Sequence, residues 1–342
     1  MTTYPTYLLR MRGDSLPGND GLKPDSFFTH VLNGLQEVEV LLRAQSDGAH
    51  LELGAALEHL LSSGGKRIRP TLALLTGQML GAPHDKLITL AAAVEFLQMA
   101  TQVHYDLIDG ALLRRGTPTL NAHWSPPATV LTGDFIFARA AKLAADTDHL
   151  PLMKLFAETL AIIVNGELTQ LFTARGLTSR ENYYKRIYAK TASLIEMTTR
   201  TAAMISPVNE TVVESMRVYG YNLGMAFQIV DDVLDFTGEQ GEAGKPVGSD
   251  LLEGLVTLPA IFYAEAHPDD LDVICLTSGC YSEHERMKRL VQTVRKSSGV
   301  KKSLDEAQEY IQKALQPLAG MPDGVERQAL EDLARYTVTR KI

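Results

Sequence analysis

Hydrophobic positions recur every three or four residues along almost the whole chain. Over residues 28–42 they follow a capping Asp25 or Ser26, which predicts an amphipathic helix. The same pattern covers 53–61 and stops at Gly64. Further helices are predicted at about 67–80, 86–109, 128–146, 152–174, 179–205, 210–237, 251–266, 282–297, 302–317 and 323–338.

The helical pattern indicates one fold class. No stretch alternates Val, Ile or Thr with polar residues for long enough to favour a sheet. Segments 86–103, 152–174 and 210–237 are apolar around much of their circumference, which is typical of central helices in a large bundle. Residues 1–24 lack periodicity and are predicted to form an irregular arm. We therefore predict an all-α protein with one helical domain over residues 25–342.

The composition excludes several classes of protein. Among 342 residues, 45% are hydrophobic and 22% are charged, which is too apolar for a disordered chain. The net charge of −8 argues against a nucleic acid or an anionic membrane as partner. Two cysteines exclude a four-cysteine zinc site and are expected to be ordinary thiols. With no signal peptide or transmembrane segment recognised, we expect a soluble cytoplasmic protein.

The strongest chemical signal is the segment FQIVDDVLDF. Gln228, Asp231, Asp232 and Asp235 lie at i, i+3, i+4 and i+7, a spacing that places them on one face of a helix. The apolar residues between them favour burial, where neighbouring carboxylates repel one another unless a cation balances them. Oxygen ligands suit Mg²⁺, whose coordination is completed by water and substrate phosphates. The alternative interpretation is a solvated acidic face.

A second acidic turn ends another apolar helix, in VHYDLIDG. Asp106 and Asp109 lie three residues apart, and Gln98 precedes them by two to three turns. Alone, such a pair is as often an ordinary solvated helix end as a metal site. Beside the first cluster, it is interpreted as the opposite wall of one site for metal and diphosphate.

Basic residues occur beside glycines in three segments, and Lys190-Thr191 is a further candidate. Arginine side chains match pairs of phosphate oxygens, and glycines let the backbone approach an anion. We infer a cavity for two phosphorylated substrates, one bound through Mg²⁺ and one bound directly. The cations are Lys66, Arg67 and Arg69 in GGKRIRP, Arg114 and Arg115 in LRRGTP, and Lys245 in GKP.

These motifs together resemble the trans-isoprenyl diphosphate synthases, the polyprenyl synthetase family of class I terpenoid enzymes. The similarity runs from about residue 30 to Arg340, and the motifs occur in the family's order and spacing. The resemblance implies a helical bundle of the isoprenoid synthase type around a central cavity. The segments are GGKRIRP, LRRGTPTLNAHW, LTGDFIFARA, NGELTQ, AKTASL, FQIVDDVLDF and GKPVGSDLLEGLVTLPA.

The resemblance also implies two substrates, isopentenyl diphosphate and an allylic prenyl diphosphate, which condense to a longer trans-prenyl diphosphate and pyrophosphate. The residues that match the family's isopentenyl diphosphate site are Lys66, Arg69, Gln98 and Arg115. The residues that match its clamp on the allylic diphosphate are Arg114, Lys190 and Lys245.

Metal and catalytic groups follow from the same resemblance. Thr191 and Gln228 resemble groups that steady the allylic cation and guide deprotonation, with Lys190 beside them. Mg²⁺ would assist departure of pyrophosphate, and a dry helical cavity would protect the cation from water. The resemblance implies Asp109, Asp231 and Asp235 as metal ligands or their immediate supports, and the helical spacing adds Asp106 and Asp232 as candidate ligands.

The sequence departs from the family pattern at two positions. Tyr105 replaces the aspartate that begins the first motif, and Leu255 replaces a lysine that usually reaches the allylic diphosphate. The main hypothesis is an active prenyltransferase. Two alternatives stay open: a non-catalytic or regulatory subunit of a heteromeric synthase, and a class I terpene cyclase. A cyclase would have no use for Lys66, Arg69 and Arg115.

Product length and assembly are further expectations from the resemblance. The family sets the depth of its product tunnel four and five residues before the first motif, and here Thr101 and Ala100 are both small. One helical turn deeper is about 5.4 Å, so we predict geranylgeranyl diphosphate or a longer product, unless Leu97 or Met99 closes the tunnel. The family also implies a dimer, as either a homodimer or a heterodimer.

Overall fold

The computed structural model describes residues 25–114, 116–173, 176–238, 246–278 and 283–339, without the side chains of 25, 26 and 173. The predicted arm at residues 1–24 lies outside this part of the chain. The helices are α1 (Asp25–Thr29), α2 (Leu32–Ala44), α3 (Leu51–Ser62), α4 (Ile68–Leu80), α5 (His84–Ile108), α6 (Leu120–His123), α7 (Pro126–Ala145), α8 (Leu150–Thr173), α9 (Arg180–Ile187), α10 (Ser193–Met204), α11 (Glu210–Thr237), α12 (Ser249–Leu252), α13 (Leu258–Ala266), α14 (Leu271–Thr277), α15 (His284–Lys296), α16 (Ser298–Leu318) and α17 (Val325–Thr339).

The predicted all-α class is confirmed, and the structure adds a short hairpin to it. A π-helical turn, Tyr188–Ala192, joins α9 to α10. The strands β1 (Leu113–Arg114) and β2 (Thr117–Pro118) form a short antiparallel hairpin after α5. Within the described residues the sheet structure amounts to this hairpin and one isolated bridge between Gly176 and Leu255.

The chain divides into two compact units. The first contains the described residues up to 157 together with 197–216 and 320–333. Its central helix is α5, which packs against α2, α4 and α7. Gly133 leaves room for the His104 ring where α7 packs on α5, because a Cβ there would lie 2.2 Å from His104 Nε2.

The second unit contains the described residues of 158–196, of 217–319 and from 334 onward. Within it α13 packs along α16, which also contacts α15. A Cβ on Gly299 would lie 2.3 Å from the carbonyl oxygen of Pro259, so the α13–α16 contact depends on a glycine. The single domain over 25–342 stays a prediction, since the two units are each described by themselves.

Several predicted helices differ from the structure in their interior. The helix predicted over 179–205 contains the π-helical turn, and the one predicted over 251–266 is interrupted between α12 and α13. The interruption follows from Gly254, which has a φ of 84°, and from extended Thr257 just before α13. Helix α14 was missed, because seven residues are too few for a recognisable period.

Helix α8 is unusually apolar for its exposure. Leu150–Phe172 is long and apolar enough to cross a membrane, with a mean hydropathy of 1.2, although little of it is buried. No such stretch is expected from the sequence, and a single helix of this kind is weak evidence for a membrane span.

Cys275 also differs from the prediction. It is disulfide-bonded, so the expectation of ordinary thiols is wrong for this residue.

Candidate functional site

The first acidic turn ends α5, and its carboxylates have different surroundings. Asp106 is buried and accepts a forked pair of hydrogen bonds from Arg114, with Nε and Nη2 at 2.8 and 2.5 Å from Oδ1. Asp109, which caps the C-terminus of α5, is exposed. Tyr105, the departure from the family pattern, is half-buried. The structure thus joins two predicted site residues, Asp106 and Arg114, in an ion pair.

Backbone contacts hold the loop that follows this turn. Asn121 Nδ2 donates to the carbonyl oxygens of Asp106 and Ala111, at 3.1 and 2.9 Å. Thr119 Oγ1 donates to the same Ala111 oxygen over 2.7 Å. A pocket of about 40 Å³ beside the loop is lined by Asp106, Arg114 and Asn121, among others. These hydrogen bonds therefore hold the loop that carries Arg114 in one position.

The segment GGKRIRP begins α4 with one buried and two more accessible cations. Arg67 has a φ of 46°, in the left-handed region, and its buried guanidinium pairs with Glu95. Lys66 is exposed, whereas Arg69 and Gln98 are half-buried. Arg67 is therefore a structural group in this segment, and Lys66 and Arg69 are its more accessible cations.

Lys190 and Thr191 both lie in the π-helical turn. Such turns insert one residue into a helix and occur often at functional sites. Two glycines allow neighbouring helices to approach the turn closely. A Cβ on Gly224 of α11 would lie 2.5 Å from the Cα of Ala192, and one on Gly166 of α8 would lie 2.4 Å from the Cβ of Ala189.

Thr191 is linked to the second acidic motif by a chain of hydrogen bonds. Its Oγ1 donates to Gln228 Oε1 over 2.5 Å, and Gln228 Nε2 donates to Asp232 Oδ1 over 2.8 Å. Tyr183 donates its hydroxyl to Asp232 Oδ2 over 2.8 Å. Burial, reinforced by the charge of Asp250, raises the pKa of the Asp232 carboxyl to about 7. Three predicted site residues are thus connected, together with Tyr183.

The other two carboxylates of this motif are only half-buried. Asp235 Oδ1 accepts hydrogen bonds from the backbone N–H and the hydroxyl of Ser249, at 3.1 and 2.8 Å, and so holds the start of α12. Burial and the charge of Asp250 raise the pKa of Asp235 to about 6. Asp231 lies on the same helix, four residues before Asp235.

Sequence reasoning missed Tyr183, Asp250 and Glu95. Tyr183 precedes Lys190 by seven residues, but nothing in the sequence distinguishes it from its neighbour Tyr184. Predicted site residues Arg115 and Lys245 lie outside the described residues. In the described part of the chain, no three His, Cys, Asp or Glu side chains form a group that could hold a metal ion by themselves.

An all-α fold with acidic residues at the ends of α5 and α11 agrees with the isoprenoid synthase class that the sequence motifs suggest. Comparison with known families agrees with this class. The polyprenyl synthetase family matches residues 50–294, which is more than half of the chain. The chain belongs to the polyprenyl synthetase family.

Individual relatives extend the similarity over nearly the full length. The chain is 34% identical to heptaprenyl diphosphate synthase component 2 of Geobacillus stearothermophilus, covering 92% of this chain and 98% of that protein. It is also 34% identical to nonaprenyl diphosphate synthase of Mycobacterium tuberculosis, covering 92% and 94%. A polyprenyl synthase from Caulobacter crescentus, solved with calcium and isoprenyl diphosphate, superposes with a TM-score of 0.87 at 33% identity, covering 95% of this chain and 100% of that one.

Proposed function

We propose that this protein is a trans-prenyltransferase that condenses an allylic prenyl diphosphate with isopentenyl diphosphate, giving a longer trans-prenyl diphosphate and pyrophosphate. The observation that carries the proposal is the connection of Thr191 and Gln228 to the aspartate-rich helix, in a chain that belongs to the polyprenyl synthetase family. Relatives named as heptaprenyl and nonaprenyl diphosphate synthases support a product of geranylgeranyl length or longer.

Isopentenyl diphosphate would bind through the cations that the fold leaves accessible. Lys66 is exposed and Arg69 is half-buried, while Arg67 between them is held by Glu95. The planar guanidinium of Arg69 suits paired phosphate oxygens, and Lys66 adds a point charge. Gln98 and Arg115 complete this proposed set.

The residues present fit Mg²⁺ as the cofactor. After burial, the charge of Asp250 is the second cause that raises the pKa of both Asp232 and Asp235. A divalent cation nearby would relieve the repulsion among these three carboxylates. Mg²⁺ needs only one or two protein carboxylates, because water and substrate phosphates complete its coordination. Asp231 would hold the ion, and Asp109 is a further ligand that the sequence predicts.

When bound, Mg²⁺ neutralises charge on the departing pyrophosphate. The chain's own cations, Arg114, Lys190 and Lys245, would bind and orient the allylic diphosphate, with Arg114 held in place by Asp106. Thr191 and Gln228 would steady the allylic cation until the double bond of isopentenyl diphosphate attacks it. Transfer of a proton from the adduct to the released pyrophosphate would then give the new trans double bond.

Incubation of the purified chain with Mg²⁺, radiolabelled isopentenyl diphosphate and each allylic primer tests the proposal. We expect a ladder of labelled products that ends at geranylgeranyl length or beyond. Asp231→Ala should abolish incorporation, whereas Asp269→Ala, which changes an exposed carboxylate, should leave it unchanged. A chain that incorporates no label with any primer, while folded, would contradict the proposed activity.

We also propose that α8 contacts a second copy of the chain. Val164, Leu168, Leu171 and Phe172 are all exposed, and their spacing places them on one stripe of the helix. Exposed apolar stripes of this kind typically mark protein interfaces. Because one relative is named as component 2, a different partner chain is the alternative.

Sedimentation analysis distinguishes these assemblies. The wild-type chain should sediment as a dimer, and the double change Leu168→Glu and Phe172→Glu should yield monomer. Lys154→Glu, which alters an exposed residue of the same helix, is the matched control and should remain dimeric. A wild-type monomer would favour a different partner chain. We also propose that the protein is located in the cytoplasm, as the sequence predicts.

A further inference from the structure

The hydrogen-bond chain that ends at Thr191 has a definite direction. The Tyr183 hydroxyl and the Gln228 amide N–H both donate to Asp232, one to each carboxylate oxygen. Since the amide nitrogen of Gln228 faces Asp232, its oxygen faces Thr191 and accepts the hydroxyl proton. Every proton in the chain therefore points towards Asp232, and the carboxylate is the common acceptor.

This direction determines what Thr191 offers to a ligand. Because its hydroxyl proton is donated to Gln228, its oxygen lone pairs remain available as acceptors. An oxygen that presents lone pairs favours electron-poor carbon, whereas one that presents a proton would disfavour it. If the Gln228 amide were reversed, its N–H would donate to Thr191 and the hydroxyl proton would be released.

Asp232 opposes that reversal, because a reversed amide would bring its oxygen against the carboxylate. Tyr183 holds the carboxylate in this position by donating to its other oxygen. The Tyr183 side chain is fully buried, and its hydroxyl donates to Asp232 Oδ2 over 2.8 Å. Asp232 is itself 5% exposed and would be left with one fewer donor if Tyr183 lost its hydroxyl. A buried carboxylate that lacks a donor is costly, so without Tyr183 it would turn towards another donor and no longer hold the Gln228 amide in place.

We propose that Tyr183 and Asp232 are positioning residues, which fix the Gln228 amide so that Thr191 turns its lone pairs towards the electron-poor allylic carbon. Asp232 then serves as the anchor of this network and not as a metal ligand, in contrast to its sequence-based prediction. The inference rests on the proposed prenyl transfer.

A double-mutant cycle on the full chain tests whether Tyr183 acts through Gln228. Tyr183→Phe should lower kcat about tenfold, the size expected for a lost hydrogen bond to a charged group, with KM for both substrates changed less than about twofold. In the Gln228→Ala background, the same change should lower kcat no further. Tyr184→Phe is the matched control, because Tyr184 also donates to a carboxylate, that of Glu306, and it should leave kcat unchanged.

A binding measurement addresses Asp232 without turnover. Calorimetry of inorganic pyrophosphate with Mg²⁺ should give similar affinities for the wild type, Tyr183→Phe and Asp232→Asn, and none for Asp231→Ala. Equal weakening by Asp232→Asn and Asp231→Ala would overturn the inference, as would an equal loss of kcat from Tyr183→Phe in both backgrounds. A wild-type chain without any turnover would instead contradict the proposed function, so the two failures are distinguishable.

Discussion

Arg67 Nη1 lies 2.5 Å from Glu95 Oε1, and both side chains are buried. Arg67 also donates to the carbonyl oxygen of Leu61 over 3.2 Å and holds a left-handed backbone conformation just before α4. The pair thereby ties the start of α4 to the middle of α5. Since Lys66 and Arg69 flank this point, the buried pair fixes the segment that carries both cations.

Glu95→Ala should therefore destabilise the protein and weaken isopentenyl diphosphate binding. Removal of one partner leaves the Arg67 charge buried and uncompensated, which costs about 3–5 kcal/mol. Lys142→Ala is the control, because it removes an exposed pair with Asp146 and should cost less than about 1 kcal/mol. Chemical denaturation measures the free energy of unfolding of both variants, and KM for each substrate tests whether binding is weakened. Equal destabilisation by the two variants would contradict the structural role of Glu95.

Gly224→Ala should disturb the π-helical turn that carries Lys190 and Thr191. An added Cβ would meet the Cα of Ala192, a backbone atom that cannot rotate away. We expect a destabilisation of about 1–3 kcal/mol and a fall in kcat. Gly54→Ala is the matched control, since a Cβ there would make only an ordinary contact, 3.9 Å from the Cβ of Ser46, and alanine should add up to about 1 kcal/mol of stability. Thermal unfolding of both variants tests this expectation. Stabilisation of both would show that the π-helical turn can shift to accept the added Cβ.

The sequence predicted some of these features and not others, for physical reasons. Helix 210–237 was predicted with its observed bounds because its apolar period is uninterrupted. The π-helical turn was not predicted, because one inserted residue barely changes the spacing of apolar positions. Asp232 was grouped with Asp231 by helical spacing, yet its partner Tyr183 lies 49 residues earlier in the chain. Local patterns fix helices and their faces, whereas pairing across the fold depends on packing.

Asp250→Asn should stabilise the metal-free protein near neutral pH. Burial and Asp250 raise the pKa of Asp232 to about 7 and that of Asp235 to about 6, above the unfolded value of about 3.9. A raised pKa in the folded state means that stability is lost as pH rises from about 4 to about 7. With Asp250 neutral, that loss should shrink.

The measurement is chemical denaturation at pH 4.5 and pH 7.5, without added Mg²⁺. We expect a gain of about 1 kcal/mol at pH 7.5 and little change at pH 4.5. Asp269→Asn removes an exposed carboxylate and should change neither value. If Asp250→Asn gave the same gain at both pH values, repulsion with Asp232 and Asp235 would not be its cause.

Tyr105→Asp should raise activity or lower the Mg²⁺ concentration needed for half-maximal rate. The half-buried phenol at this position keeps its proton near neutral pH, since its unperturbed pKa is about 10, whereas a carboxylate is a preferred Mg²⁺ ligand. Tyr105→Phe is the control, because it removes the hydroxyl without adding a ligand. An unchanged Mg²⁺ titration for Tyr105→Asp would show that this position does not contact the metal.

Ala100→Phe should shorten the product by at least one five-carbon unit. Ala100 is fully buried on α5, one residue before buried Thr101, and a phenyl ring there would occupy space that a growing chain needs. Products separated after dephosphorylation give the length, and thermal unfolding identifies any loss of packing. Ala100→Leu provides a smaller step, and Thr101→Ser should leave the product unchanged. A folded Ala100→Phe variant whose products keep their length would place the limit of the tunnel at another residue.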